Sequence, residues 1–289
     1  METEARRLRD HPGGFMMAAN PFETCVGHFW GIVETITYMR FRFAHMEALE
    51  KVNTGDGAAA QLEHIMDMFR LCRSDNMGLR DFAPHVMLRL GKDQEAYDFC
   101  KWWATTGYES DNDRGNMDLP FLDTKNADVF EEPTYWTGRD ISFIHAVCVT
   151  LLKIKLLRDL TELRNALRDY STVQGREIPF EIVHNIQTQI PRSQQIIAKF
   201  SIEGAADTMK LQSRIDTLTK QVRRLHAAVH KHNSHFWTAL DNPRGRPTGA
   251  VEFYFQDTDR EIVFPYTYNA WLETPGGLEV VTKYSRQED

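Results

Sequence analysis

The stretch from Ala58 to Trp103 reads AAAQLEHIMDMFRLCRSDNMGLRDFAPHVMLRLGKDQEAYDFCKWW. Leu62, Ile65, Met66, Phe69 and Cys72 recur at steps of three and four, which lines one face of a helix over residues 58–73. Ser74-Asp75-Asn76-Met77-Gly78 is a run of turn residues and closes that helix. A shorter helical pattern follows over residues 81–90, then Gly91 as a tight turn, then a helix from Asp93 to near Thr105. Apolar faces joined by short links bury themselves against each other, so the stretch predicts antiparallel helical hairpins stacked side by side.

The flanking sequence extends this all-α reading. Upstream, Asn20-Pro21-Phe22-Glu23 leads into a long helical pattern over residues 26–52, which ends at Asn53-Thr54-Gly55-Asp56-Gly57. The segment AHMEALEKVNTGDGAAAQLE can be laid over APHVMLRLGKDQEAYDFCK so that Ala44 meets Ala83 and Ala59 meets Ala96. With the string Leu88-Arg89-Leu90-Gly91-Lys92, this suggests a degenerate tetratricopeptide-like repeat of two or three units.

Downstream, residues 107–140 hold nine acidic and three basic side chains, a long acidic loop anchored by apolar residues such as Val129 and Trp136. A long helix returns over residues 141–170, broken by 171–175, and Pro179 opens a shorter helix ending at Ile190. Leu211, Ile215, Leu218, Val222, Leu225, Val229, His232 and Phe236 alternate steps of four and three, one continuous helix. Its outer face is basic, and residues 208–247 hold eight basic and two acidic side chains. Residues 251–266 read either as a hairpin around Asp257-Thr258-Asp259 or as a helix kinked at Pro265, and Thr274-Pro275 caps a final short helix. The expected organisation is a flexible N-terminus over residues 1–19, a single helical domain over 20–284 and a flexible end over 285–289. Within the domain, hairpin repeats occupy 20–106, the acidic loop 107–140, and long helices with a helical tail 141–284.

The 289 residues carry 34 basic and 41 acidic side chains, a net charge of −7, which argues against nucleic acid as the partner. Four dispersed cysteines with no CxxC pair form neither a zinc cluster nor a disulfide framework, which suits a reducing compartment. No run of 18 apolar residues predicts a membrane span. A cytoplasmic location is expected, with the nucleus as the alternative. Glycine-rich phosphate loops and a nucleophile elbow are both missing.

The densest polar–aromatic string runs from Arg89 to Trp103. On a helix beginning at Asp93, Gln94, Tyr97, Asp98 and Lys101 share a face, and Trp102 and Trp103 flank it. With Arg89, these residues form a candidate surface for reading a protein or peptide partner. The same pattern also suits a hairpin with aromatic packing and a surface ion pair. His226 and His230, one turn apart, could bind a divalent metal from one helix face, but no HExxH is present. The carboxylates Asp111, Asp113, Asp118, Asp123, Asp128, Glu131 and Glu132 do not follow a calcium-loop spacing and read as a solvated acidic face. No cofactor is expected.

The strings GIVETITYMRFRFAHMEAL, MDMFRLCRSDNMGLRDF, MLRLGKDQEAYDFCKWW, LPFLDTKNADVFE, HFWTALDNP and YNAWLETPGGLE resemble a large, mostly uncharacterised fungal family, over residues 20–281. Some of its members carry the name MYND-type zinc-finger protein and have a tetratricopeptide-like helical region. The resemblance implies a fungal, intracellular, all-helical protein and favours the helical reading of residues 258–272. It implies no chemistry, and the zinc cluster of a MYND finger has no counterpart in this chain. Together these observations lead to the expectation of a protein–protein interaction scaffold. The alternative is a helical enzyme of fungal metabolism that binds an apolar or phosphorylated small molecule, with or without a metal.

Overall fold

The computed structural model describes residues 1–108, 114–139, 141–173, 208–241 and 259–288. The protein is all-α, and no strand occurs among the described residues. In chain order the helices are α1 (Glu2–Arg9), α2 (Pro21–Thr24), α3 (Val33–Val52), α4 (Gly55–Leu71), α5 (Ala83–Arg89), α6 (Asp93–Ala104), α7 (Phe143–Val173), α8 (Thr208–His232), α9 (Phe236–Asp241), α10 (Asp259–Leu272) and α11 (Gly277–Glu288). Two compact units result. The first holds α1 to α6 and α10 as far as Ala270; the second holds α7 to α9, the end of α10, and α11.

In the first unit α3 and α4 form an antiparallel hairpin, since Arg42 meets Asp67, His45 meets His64, and Glu50 meets Gln61. Asn53 ends α3 at a φ of 48°, a left-handed conformation that asparagine tolerates, and Thr54 caps α4 by accepting the Gly57 N–H at 3.1 Å. Met39, Met46, Ile65 and Phe69 fill the seam, and α5 and α6 follow in sequence. Here the aligned alanines part company. Ala83 and Ala96 are buried, whereas Ala44 and Ala59 are exposed, so the aligned positions differ in burial.

Several boundaries differ from expectation. The N-terminus is not a flexible tail: α1 buries Ala5 and Leu8, and Arg7 binds Glu4 and the Glu34 carbonyl. The helix expected from residue 26 begins at Val33, because a 3-10 turn over Phe29–Gly31 precedes it. The C-terminal segment is helical to Glu288, held by buried Tyr284. Residues 259–272 are helical, in keeping with the helical alternative, while residues 251–258 and the helix expected after Pro179 lie outside the described residues.

In the second unit α7 and α8 run antiparallel, with Arg164 on Gln212 and Lys153 on Gln221. The seam read from the sequence is real as far as Val229: Leu211, Ile215, Leu218, Val222, Leu225 and Val229 are all buried. The helix does not continue to Phe236. It stops at His232, and the Asn233 side chain accepts the His235 N–H at 3.1 Å, which restarts the chain as α9. His232 is consequently exposed rather than on the seam. Phe236 and Trp237 pack inward, Trp237 against Trp271 and Phe236 against Phe143.

Lys153 lies on the apolar half of α7 and is fully buried. Its ammonium donates to the Val129 carbonyl (2.6 Å), the Glu131 carbonyl (2.8 Å) and Gln221 Oε1 (2.8 Å). Replacing Lys153 with Met keeps the volume but orphans these acceptors. The expected cost is about 3 kcal/mol, read as a lower denaturant midpoint with an unchanged slope.

Candidate functional site

The residues singled out on α6 are brought together, but chiefly by burial. Tyr97, Trp102 and Trp103 are buried, Asp98 is nearly so, and Gln94 and Lys101 are half-buried. The partner-reading surface expected at Lys101, Trp102 and Trp103 is therefore not present as such. Phe69, Phe99 and Phe121 surround the two indoles, and Arg80 and Arg114 lie over the Trp103 ring at 5.2 and 5.5 Å. Gly107 passes so close that a Cβ there would sit 2.8 Å from Trp103 and 2.9 Å from Trp102. The indoles read as a surface from the sequence thus belong to the core.

Asp98 has a specific task. Its carboxylate accepts the Asn126 N–H (2.8 Å), the Ala127 N–H (2.9 Å) and Gln94 Nε2 (2.9 Å), and Gln94 also donates to the Ala127 carbonyl (3.1 Å). Trp102 donates to Asp123 Oδ1 at 3.1 Å. The polar face predicted on α6 thus holds the acidic segment of its own chain. Asp98→Ala leaves two part-buried N–H groups without their acceptor. It is expected to destabilise the first unit by about 2 kcal/mol and to open the peptide bonds near Asn126 to limited proteolysis before global unfolding.

Arg89 belongs to a different cluster. Its side chain is only 2% exposed, lies 3.5 Å from Glu50, and donates to Asn53 Oδ1 at 2.6 Å. Glu50 also accepts from Gln61 (3.0 Å) and Asn269. Gln61 Oε1 and the Tyr266 hydroxyl are buried beside these groups with no hydrogen-bond partner among the described residues. Burial, then Glu50 and Glu47, raise the Tyr266 pKa well above its ordinary value. Sequence reading missed Glu50, Gln61, Tyr266 and Asn269. The available signal was a carboxylate at the buried end of α3.

His226 and His230 do not form a metal pair. Their rings are stacked at 6.5 Å, His226 is sandwiched onto Trp237 at 5.0 Å, and His226 Nε2 lies 3.2 Å from Ser285 Oγ. No group of three or more His, Cys, Asp or Glu that could hold a metal occurs among the described residues. Of the acidic loop, Asp111 and Asp113 lie outside those residues. Glu132 pairs with Arg224 at 2.6 Å and takes a bond from Gln221, and Arg214 lies over Phe130. Part of the basic face of α8 is thereby occupied by this chain. No helix among the described residues is long and apolar enough to cross a membrane.

The surface feature that remains is on α3. Val33, Phe41 and Val52 are 72%, 50% and 60% exposed, and Thr37, Ala44 and Ala48 between them are exposed as well. The opposite side of the helix buries Met39, Met46 and Tyr38. Successive steps of four, four, three, four and four place the six exposed residues on one face, a stripe about 30 Å long. Comparison of the chain with protein-family models, with curated proteins and with solved structures finds no match.

Asp75, in the turn after α4, carries the clearest pH dependence. It adopts a φ of 52°, and its buried carboxylate accepts the Leu79 N–H at 2.7 Å and the Arg80 N–H at 3.3 Å. Burial pushes its pKa up to about 7, against the pull of Arg80 and the two N–H groups. The folded chain therefore holds this proton where the unfolded chain, near 3.8, has lost it. Its contribution to stability is full below pH 4 and falls as pH rises towards 7. Asp75→Asn removes the titration, so the melting temperature of the wild type should drop relative to the variant as the pH is raised through that window.

Proposed function

We propose that the protein is a non-catalytic helical scaffold for protein–protein interaction, acting in the cytoplasm, with the exposed face of α3 as its contact surface. The observation that carries this reading is the solvent-exposed row Val33, Phe41 and Val52 on a helix already buried on its other side. Contiguous exposed apolar surface of this kind marks interaction sites. A helix face reads its partner through side chains spaced by three and four, and with Thr37, Ala44 and Ala48 between them these residues have that spacing. The resemblance to the fungal family with a tetratricopeptide-like region is consistent with such a role, in the same part of the chain. The contact moves from α6, where the tryptophans are core, to α3.

The test is cross-linking of the full chain in its source cells, compared with a Phe41→Glu variant of unchanged helicity. Cross-links should concentrate on α3 and the captured set should shrink at least tenfold for the variant, about 1.4 kcal/mol or more of lost affinity. An unchanged captured set would exclude α3 as the contact.

A second reading has one observation in its favour. The partnerless hydroxyl of Tyr266 and the Gln61 Oε1 beside the Glu50–Arg89 pair suit a small polar ligand. Native mass spectrometry of the purified chain should then show an adduct that Tyr266→Phe loses.

A further inference from the structure

We infer that the occupant of the α3 face is a second copy of this chain, docked antiparallel about a two-fold axis level with the Arg42–Phe43 peptide. The inference rests on the reading of α3 as a contact surface and names its partner. It is carried by the register of the exposed residues. In an antiparallel pair centred there, each residue n lies level with residue 85 − n of the other copy. Val33 then faces the partner's Val52, Thr37 faces the partner's Ala48, and Phe41 faces the partner's Ala44. Every exposed residue of the stripe meets another member of the same stripe. The bulkiest meets one of the smallest, which is how two helices approach closely without a clash.

Charge supports the same direction. At 100° per residue, Arg40 and Glu47 lie on one flank of the stripe, Arg40 exposed and Glu47 half-buried. A two-fold axis perpendicular to the helices keeps that flank on the same side in both copies. Arg40 therefore lies on the same flank as the partner's Glu47, offset along the helix by two residues or about 3 Å, which a long side chain spans, and the contact occurs twice. A parallel pairing would instead set Phe41 against Phe41 and Arg40 against Arg40, which stacks bulk on bulk and like charge on like charge. Because the chain supplies both halves of the complementarity, a second copy fits better than an unrelated amphipathic helix. A single helix pair of this length buries less than the roughly 1,600 Å² of a standard interface, which sets the expected dissociation constant in the micromolar range.

Sedimentation equilibrium of the full chain tests this. The mass should rise from 33.5 kDa towards twice that value across micromolar concentrations. Phe41→Glu and Ala44→Arg should each hold the chain at the monomer mass with helicity and melting temperature intact. Arg40→Glu alone and Glu47→Arg alone should each weaken the dimer about tenfold, and the double variant Arg40→Glu/Glu47→Arg should recover most of that loss. A wild-type mass of 33.5 kDa at every concentration would overturn the inference. So would a dimer indifferent to Phe41→Glu, or a double variant that recovers nothing. If the wild type is monomeric yet Phe41→Glu still loses its cellular partners, only self-association fails and α3 remains a contact surface for another chain.

Discussion

A long irregular segment packed into a protein must find partners for its backbone N–H and C=O groups, and this requirement shapes both units. The chain meets it with two buried charges of opposite sign. In the first unit the Asp98 carboxylate accepts the N–H groups of Asn126 and Ala127. In the second the Lys153 ammonium donates to the carbonyls of Val129 and Glu131. The anion serves donors and the cation serves acceptors, within six consecutive residues of the same segment. Each charge is buried and is compensated by several hydrogen bonds, the condition under which a buried charge is tolerable. Gln221 completes the second arrangement by accepting from Lys153 and donating to the Phe130 carbonyl. The acidic loop is thus a structural element, and much of its polarity is directed at the chain itself.

That economy explains why the most conspicuous string in the sequence is not a partner-reading surface. Arg89 to Trp103 concentrates charge, amide and indole, the usual composition of a binding face. In the fold, each of these types answers a local need. The indoles fill space among Phe69, Phe99 and Phe121. Asp98 and Gln94 terminate backbone groups. Arg89 neutralises Glu50 and holds Asn53, the residue whose left-handed conformation ends α3. Composition is the same for a core that stabilises irregular backbone and for a surface that recruits a ligand; only burial separates them.

Helix existence was legible because α4, α6 and α8 each carry an apolar face at steps of three and four, and the punctuation at Asn53–Gly57 and Ser74–Gly78 is chemically plain. Their ends were less so. The interruption at Asn233 depends on one side-chain hydrogen bond to His235, which leaves the apolar rhythm almost undisturbed. The burial of α1 depends on its packing against α2 and α3, across the turn-rich stretch that separates them. The same holds for the Glu50 cluster, whose members sit at positions 50, 61, 89, 266 and 269. Residues so distant in sequence converge only through tertiary structure, so a motif search has nothing to find.

α3 is the instructive case. A helix with apolar residues on opposite sides lacks a clean amphipathic period and is commonly read as wholly buried. In this fold α4 covers one side of α3, so the pattern reports two separate demands for burial, one met within the chain. Leaving Val33, Phe41 and Val52 in water sacrifices hydrophobic stabilisation that a polar surface would not forgo. Neither the α3–α4 seam nor the cap at Thr54 requires apolar residues there, because both use the other side of the helix. The stripe therefore lies outside both the α3–α4 seam and the cap of α4, and its exposure is the observation on which the proposed contact rests.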